Sequence, residues 1–176
     1  MKKWQVLIFC FGLSFLGCAM GNHAEIRTEP QVDLQRFMGD WYVIASIPTF
    51  VERGAHNAVE SYSLKEDGTI ATTFTFNKDS FDGELKRYTP KGFVLDKKSN
   101  AVWGMQFVWP FKGDYRIVYL NRDYSQTIVG RQKRDYVWIM ARAPIISEAD
   151  YQKLVRIIGD EGYDIEKIQK VPQQKP

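Results

Sequence analysis

The sequence predicts an all-β fold, an eight-stranded antiparallel up-and-down barrel with one C-terminal α-helix packed outside. Three observations predict it. Two short patches stand far apart, Gly39-Asp40-Trp41-Tyr42 near the start and Trp138-Ile139-Met140-Ala141-Arg142 near the end. Each sits on a candidate strand, and a sheet that closes on itself brings the first-strand Trp beside the last-strand Arg, where a guanidinium stacks on an indole. Between the patches, short alternating runs are separated by turn signals, the pattern of an up-and-down antiparallel sheet. After the last strand, one segment carries a convincing helical period.

The 176 residues suit one domain with a sizeable core. Residues 1–17 read as an export signal: basic Lys2-Lys3, an apolar run from Val6 to Leu16, and small residues around Gly17-Cys18-Ala19. The run is too short for a comfortable membrane span. Leu16-Gly17-Cys18-Ala19 resembles the lipobox of bacterial lipoproteins, which implies acylation of Cys18 as the first mature residue. The alternative is a secreted protein with a stray thiol. Cys10 leaves with the signal, so no intramolecular disulfide is expected. Residues 18–31 are polar and aperiodic, carry Pro30, and read as a tether to a domain over 32–171, with 172–176 as a tail.

Within the domain, Leu34, Phe37 and Met38 make one helical turn that closes the lower end of the barrel. Strands are expected over Trp41–Thr49, Asn57–Leu64, Thr69–Asn77, Gly83–Leu95, Ala101–Val108, Tyr115–Leu120, Gln126–Arg131 and Tyr136–Arg142. Lys65-Glu66-Asp67-Gly68 and residues 96–100 are turns. Ser147 starts the helix with Asp150 as its capping partner. Tyr151, Leu154, Val155 and Ile158 share the face that packs on the barrel wall.

Side chains alternate between the inside and the outside of a barrel. With Arg142 setting the phase, Met140, Trp138 and Tyr136 point inward, and Ile139 and Ala141 outward. Trp103, Met105 and Phe107 point inward on the fifth strand, and Tyr115, Ile117 and Tyr119 on the sixth. A barrel of about eight strands either fills with such side chains or holds one small ligand. Counting strands places Phe50, Phe81, Trp109 and Phe111 at the open mouth, beside Lys112 and the basic turn Arg131-Gln132-Lys133-Arg134. They either meet lipid headgroups or pack down as a lid.

The net charge of +3 includes Lys2 and Lys3 of the signal, so the mature protein is nearly neutral and no nucleic-acid partner is expected. Two histidines, no Gly-x-Ser-x-Gly elbow and no clustered metal ligands give catalysis little support. No enzyme activity, cofactor or metal is expected.

These motifs identify a resemblance to the lipocalins, and especially to the bacterial outer-membrane lipocalins related to apolipoprotein D. Gly39-Asp40-Trp41-Tyr42 matches the Gly-x-Trp motif, Asp123-Tyr124 matches Thr-Asp-Tyr with Arg122 in place of Thr, and Arg142 matches the final motif. The resemblance covers nearly all of the mature chain and makes Gly39, Trp41, Asp123, Tyr124 and Arg142 structural. It implies a small lipophilic ligand, a fatty acid or lysophospholipid-like lipid, bound for storage, scavenging or transport. It also implies a lipid anchor in the bacterial outer membrane, with Ala19 favouring that destination, and a monomer or weak homodimer. An enzyme acting on an isoprenoid-like substrate and a structural envelope lipoprotein are the alternatives. The candidate ligand-binding residues are Glu60, Tyr62, Trp103, Met105, Phe107, Tyr115, Ile117, Tyr119, Tyr136, Trp138 and Met140. Family comparison places Glu60 inside with Tyr62 and Leu64. Its carboxylate either pairs with Lys86 or Arg87, or with trapped water, or reads a polar group of the ligand.

Overall fold

The computed structural model describes residues 24–174. The expected signal segment and Cys18 lie outside them. The strands are β1 (Gly39–Ile47), β2 (Ala55–Leu64), β3 (Thr69–Lys78), β4 (Leu85–Tyr88), β5 (Lys91–Val94), β6 (Val102–Val108), β7 (Phe111–Leu120), β8 (Gln126–Gly130), β9 (Val137–Ala141) and β10 (Gln169–Lys170). Pairing runs antiparallel round the ring, and β1 joins β9 from Tyr42↔Ala141 to Ile47↔Val137, so the cylinder is closed. The strand expected over Gly83–Leu95 is two pieces, β4 and β5, both paired to β3. Pro90 sits between them and has no N–H for a ladder. Counting β4 and β5 as one interrupted stave, and setting aside the two-residue β10 that pairs only with β1, gives eight.

Bulges set which face each strand shows. In β1 the register shifts between Val43 and Ala45, so Trp41 and Val43 join the interior cluster while Ala45 and Ile47 lie outside under the helix. In β7 the shift falls between Ile117 and Tyr119. An extra residue in one strand reverses the alternation beyond it.

The helix α2 (Glu148–Asp160) begins as expected, with Ser147 Oγ accepting from the Asp150 amide at 3.1 Å. Leu154 and Ile158 are fully buried against the outer wall with Ile128 and Ile139. Behind it, the Tyr163 hydroxyl accepts from the Arg131 amide and donates to the Arg131 carbonyl. That close approach requires a residue without Cβ at position 130, because an added Cβ at Gly130 would collide with the Tyr163 hydroxyl.

Both ends of the chain belong to the barrel. Residues 24–31, expected as a free tether, lie along its wall: Ile26 is buried, Glu29 N–H donates to Ile117 O at 2.9 Å, and Arg27 pairs with Glu161 at 2.5 Å. Residues 172–174, expected as a tail, fill the seam where β1 and β2 diverge. There the Gln173 side-chain amide donates to Val43 O at 2.8 Å and to Ala58 O at 3.0 Å. Polar composition concealed both segments, because their anchoring is by backbone and side-chain hydrogen bonds.

The closed end is built by α1 (Leu34–Phe37), capped by the Asp33 carboxylate. Phe37 and Trp41 are fully buried there. Trp41 Nε1 donates to Phe37 O at 2.8 Å, and the Arg142 guanidinium lies 3.8 Å above the indole. Arg142 also donates to the carbonyls of Asp40, Arg36, Phe37 and Met38 at 2.7–3.1 Å and to that of Tyr124 at 3.3 Å. Gly39 adopts φ +94°, and its missing side chain leaves room for the guanidinium. Tyr124, at φ +62°, accepts from the Asp33 amide through its hydroxyl and stacks under Arg36 at 3.9 Å. Asp123 holds the Ser125 hydroxyl at 3.0 Å. The motif residues are therefore a single plug.

Candidate functional site: the barrel cavity

Above the plug the barrel encloses a cavity of about 640 Å³ that opens at the mouth. Its height above Trp41 is set by aromatic packing. Tyr62, Trp103 and Tyr115 contact one another over Phe37, with Trp103 and Tyr115 stacked at 5.1 Å. This layer is the floor.

Of the eleven candidate ligand residues, six line the cavity: Glu60, Met105, Phe107, Tyr115, Tyr136 and Trp138. Tyr62, Trp103, Ile117 and Met140 do point inward, but they belong to the packed interior below the cavity space. Alternation gives the face of a residue and not its height. Tyr119 is on the wrong face. The bulge at Val118 turns it outward, and its hydroxyl accepts from Lys153 of α2 at 3.0 Å.

The site also uses residues outside those eleven, some of them from segments that the sequence places at the mouth. Thr49, Val51 and Glu52 come from the β1–β2 loop and Arg131 from the β8–β9 loop, while Thr72, Phe74 and Tyr88 come from β3 and β4. The β3 pair was legible, since Thr72 and Phe74 alternate with outward residues as the inward residues of β2 do. Loop conformation carried no comparable periodic signal.

Glu60 is the chemical centre of the floor. It is 9% exposed, accepts a hydrogen bond from the Tyr62 hydroxyl, and that hydroxyl lies 2.7 Å from the Tyr115 hydroxyl. Neither Lys86 nor Arg87 pairs with it: Lys86 holds Glu84 at 2.6 Å, and Lys86 and Arg87 pair with Phe76 and Thr75 on β3. Burial, reinforced by the charge of Glu52, pushes Glu60 up to about 8. A carboxyl without a cation in a low-dielectric site stays protonated. Burial and Glu60 likewise hold Tyr115 well above the usual phenol range. Glu52 is raised by burial, although Thr49 N–H donates to it at 2.8 Å and Trp138 Nε1 at 3.2 Å. Two hydroxyls and a neutral carboxyl thus form a small polar node at the floor of the chamber, below further polar lining from Thr49, Glu52, Thr72 and Arg131. Among the described residues, three buried side-chain atoms lack a partner, Thr49 Oγ1, Thr72 Oγ1 and Arg131 Nε, and all three residues line this cavity.

The rim is apolar and exposed. Phe50 is 77% exposed, Trp109 82% and Phe111 76%, with Phe107 and Val108 beside them. They do not pack down as a lid. Phe81 is the exception, lying edge-on to the His56 ring at 5.0 Å.

The family model for a lipocalin-like domain matches residues 32–173. Temperature-induced lipocalin-1 of Arabidopsis thaliana is 31% identical over 88% of this chain and 86% of its own length. The outer membrane lipoprotein Blc of Escherichia coli K12 is 32% identical over 80% of this chain and 79% of its own. Among solved structures, insecticyanin of the tobacco hornworm superposes with a TM-score of 0.66 at 12% identity, covering 84% of each chain, a likeness of fold. A closed eight-stave barrel, an arginine-locked plug and a family match that spans both place this chain in the lipocalin family.

Proposed function

We propose that the protein is a lipid-anchored carrier at the bacterial outer membrane that holds one fatty acid or lysophospholipid-like molecule for storage, scavenging or transfer. The carrying observation is the cavity. Its volume falls within the roughly 300–1,000 Å³ of small-molecule sites, and sparse polar groups in an apolar lining orient a ligand without reacting with it. Each buried methylene contributes about 0.8 kcal/mol, so a chain of about ten supplies some 8 kcal/mol before ordering costs. The anchor rests on the lipobox-like residues around Cys18 and on the names of the bacterial relatives. No turnover is part of this reading.

Native mass spectrometry of the protein purified from cells tests it. A bound single-chain lipid, and acyl groups on Cys18, are expected. A reproducibly empty barrel indifferent to added lipid would overturn the carrier, and an unmodified Cys18 would overturn the anchor.

A further inference from the structure

The N-terminal segment has a direction on the barrel. Val32 N–H donates to Ser99 O at the closed end, Glu29 N–H to Ile117 O midway, and Ile26 N–H to the Gln132 side chain in the β8–β9 loop at the mouth. The Ala24 carbonyl is held there too, by Gln132 at 3.2 Å and Arg134 at 2.9 Å. Read backwards, the described chain climbs from plug to mouth and reaches Ala24 at the open end.

Cys18 lies six residues before Ala24. Six residues extend at most about 20 Å, enough to reach the plane of the rim but less than the roughly 26 Å that residues 24–32 span if extended towards the plug. An anchor at Cys18 therefore tethers the protein by its mouth. The same end carries five of the exposed large apolar side chains, Phe50, Phe107, Val108, Trp109 and Phe111. Three of them, Val108, Trp109 and Phe111, flank Pro110 at the tip of the β6–β7 hairpin.

We propose that the protein sits mouth-down on the membrane that holds its anchor, with the β6–β7 tip and Phe50 inserted among the lipids, so that the cavity opens into the leaflet. This rests on the lipid-anchor reading above. Aromatic side chains are at home at that depth, and an apolar rim continuous with the cavity lets an acyl chain pass without crossing water. Charge has little part in the contact. Arg53, Arg131, Lys133 and Arg134 in the mouth loops and Lys112 at the start of β7 are matched by Glu52, Asp79, Asp82, Glu84 and Asp135, so a preference for anionic lipid, which the basic turn alone would predict, is not expected.

The test is depth-dependent quenching. The full acylated chain is reconstituted in phosphatidylethanolamine/phosphatidylglycerol vesicles containing brominated lipid. Tryptophan emission is expected to be quenched, and Trp109→Phe, which keeps an aromatic at the tip, is expected to lose the share of that quenching that Trp109 carries, since Trp41 and Trp103 are fully buried and the cavity-lining Trp138 is common to both proteins. The unacylated Cys18→Ser protein should still partition onto the vesicles at raised salt, and Trp109→Ala/Phe111→Ala in that background should partition at least tenfold more weakly, with lipid affinity in the cavity unchanged within twofold. Vesicle attachment of the acylated chain with no quenching attributable to Trp109 overturns the proposal and leaves the anchor reading standing. An acylated chain that does not attach overturns both. Conversion of a dimer to monomers by the double substitution, without quenching in the wild type, assigns the rim to a second copy of the chain and overturns the proposal.

Discussion

Replacing Glu60 by Gln isolates the cost of a buried carboxyl, because glutamine keeps the size and polarity of the protonated side chain and removes its titration. In the folded protein Glu60 titrates at about 8 against an ordinary 4.5. The folded state therefore binds the extra proton more tightly, and the stability this contributes is fully present below pH 4.5 and is lost as pH rises to about 8. Linkage puts the whole loss at about 5 kcal/mol, of which roughly half falls between pH 5 and pH 7. Urea unfolding of wild type and Glu60→Gln across pH 4.5–9 reads it directly. The wild-type midpoint should fall relative to the variant by about 1 M urea between pH 5 and 7, then flatten above pH 8.5. Titrating groups that do not feel the charge of Glu60 are common to both proteins and cancel, and the coupled Glu52 and Tyr115 are read as part of the Glu60 node. Parallel curves would refute the reasoning and mean that water or a cation reaches Glu60.

Arg142→Lys removes the planar fork that serves five carbonyls and should cost about 3 kcal/mol, lowering Tm by about 10 °C in a thermal scan, with lysine's retained charge giving no rescue. Gly130→Ala should cost about 2 kcal/mol through its collision with the Tyr163 hydroxyl; in a Tyr163→Phe background the penalty should shrink by about 1 kcal/mol, measured as a double-mutant cycle. Met105→Trp fills cavity space and should weaken a fluorescent fatty acid at least tenfold in a displacement titration, whereas Tyr119→Ala, on the outer wall, should leave affinity within twofold.

The fold was legible because its signals are local or repeated. Strict alternation marked the staves, Ser147 and Asp150 marked the helix start, and Trp41 with Arg142 marked the closure. The site was half legible. Alternation put Met105, Tyr115 and Trp138 inside, and the family resemblance did the same for Glu60, but a bulge is a single unsignalled insertion, and the one at Val118 sent Tyr119 to the helix side. Depth was not readable either. Whether Trp103 or Met105 touches the chamber depends on where the aromatic floor forms, which is decided by Phe37 and Tyr62 from distant parts of the chain. The contributions of Thr49, Glu52 and Arg131 come from loops, whose paths follow from tertiary contacts. Pro90 is the one missed boundary that the sequence did announce.

The plug has a consequence for the order of assembly. Asp40 and Arg142 are 102 residues apart, while β2–β3 and β6–β7 close over turns of a few residues. Chain-closure entropy makes the β1–β9 seam roughly 2–3 kcal/mol costlier to nucleate than those hairpins, so the seam comes together after them. The guanidinium finds its indole and its five carbonyls only when the ring is closed in the correct register, since a slip of one residue turns Trp41 to the opposite face. Arg142 thus withholds its stabilisation from open or misregistered sheets and gives it only to the finished cylinder.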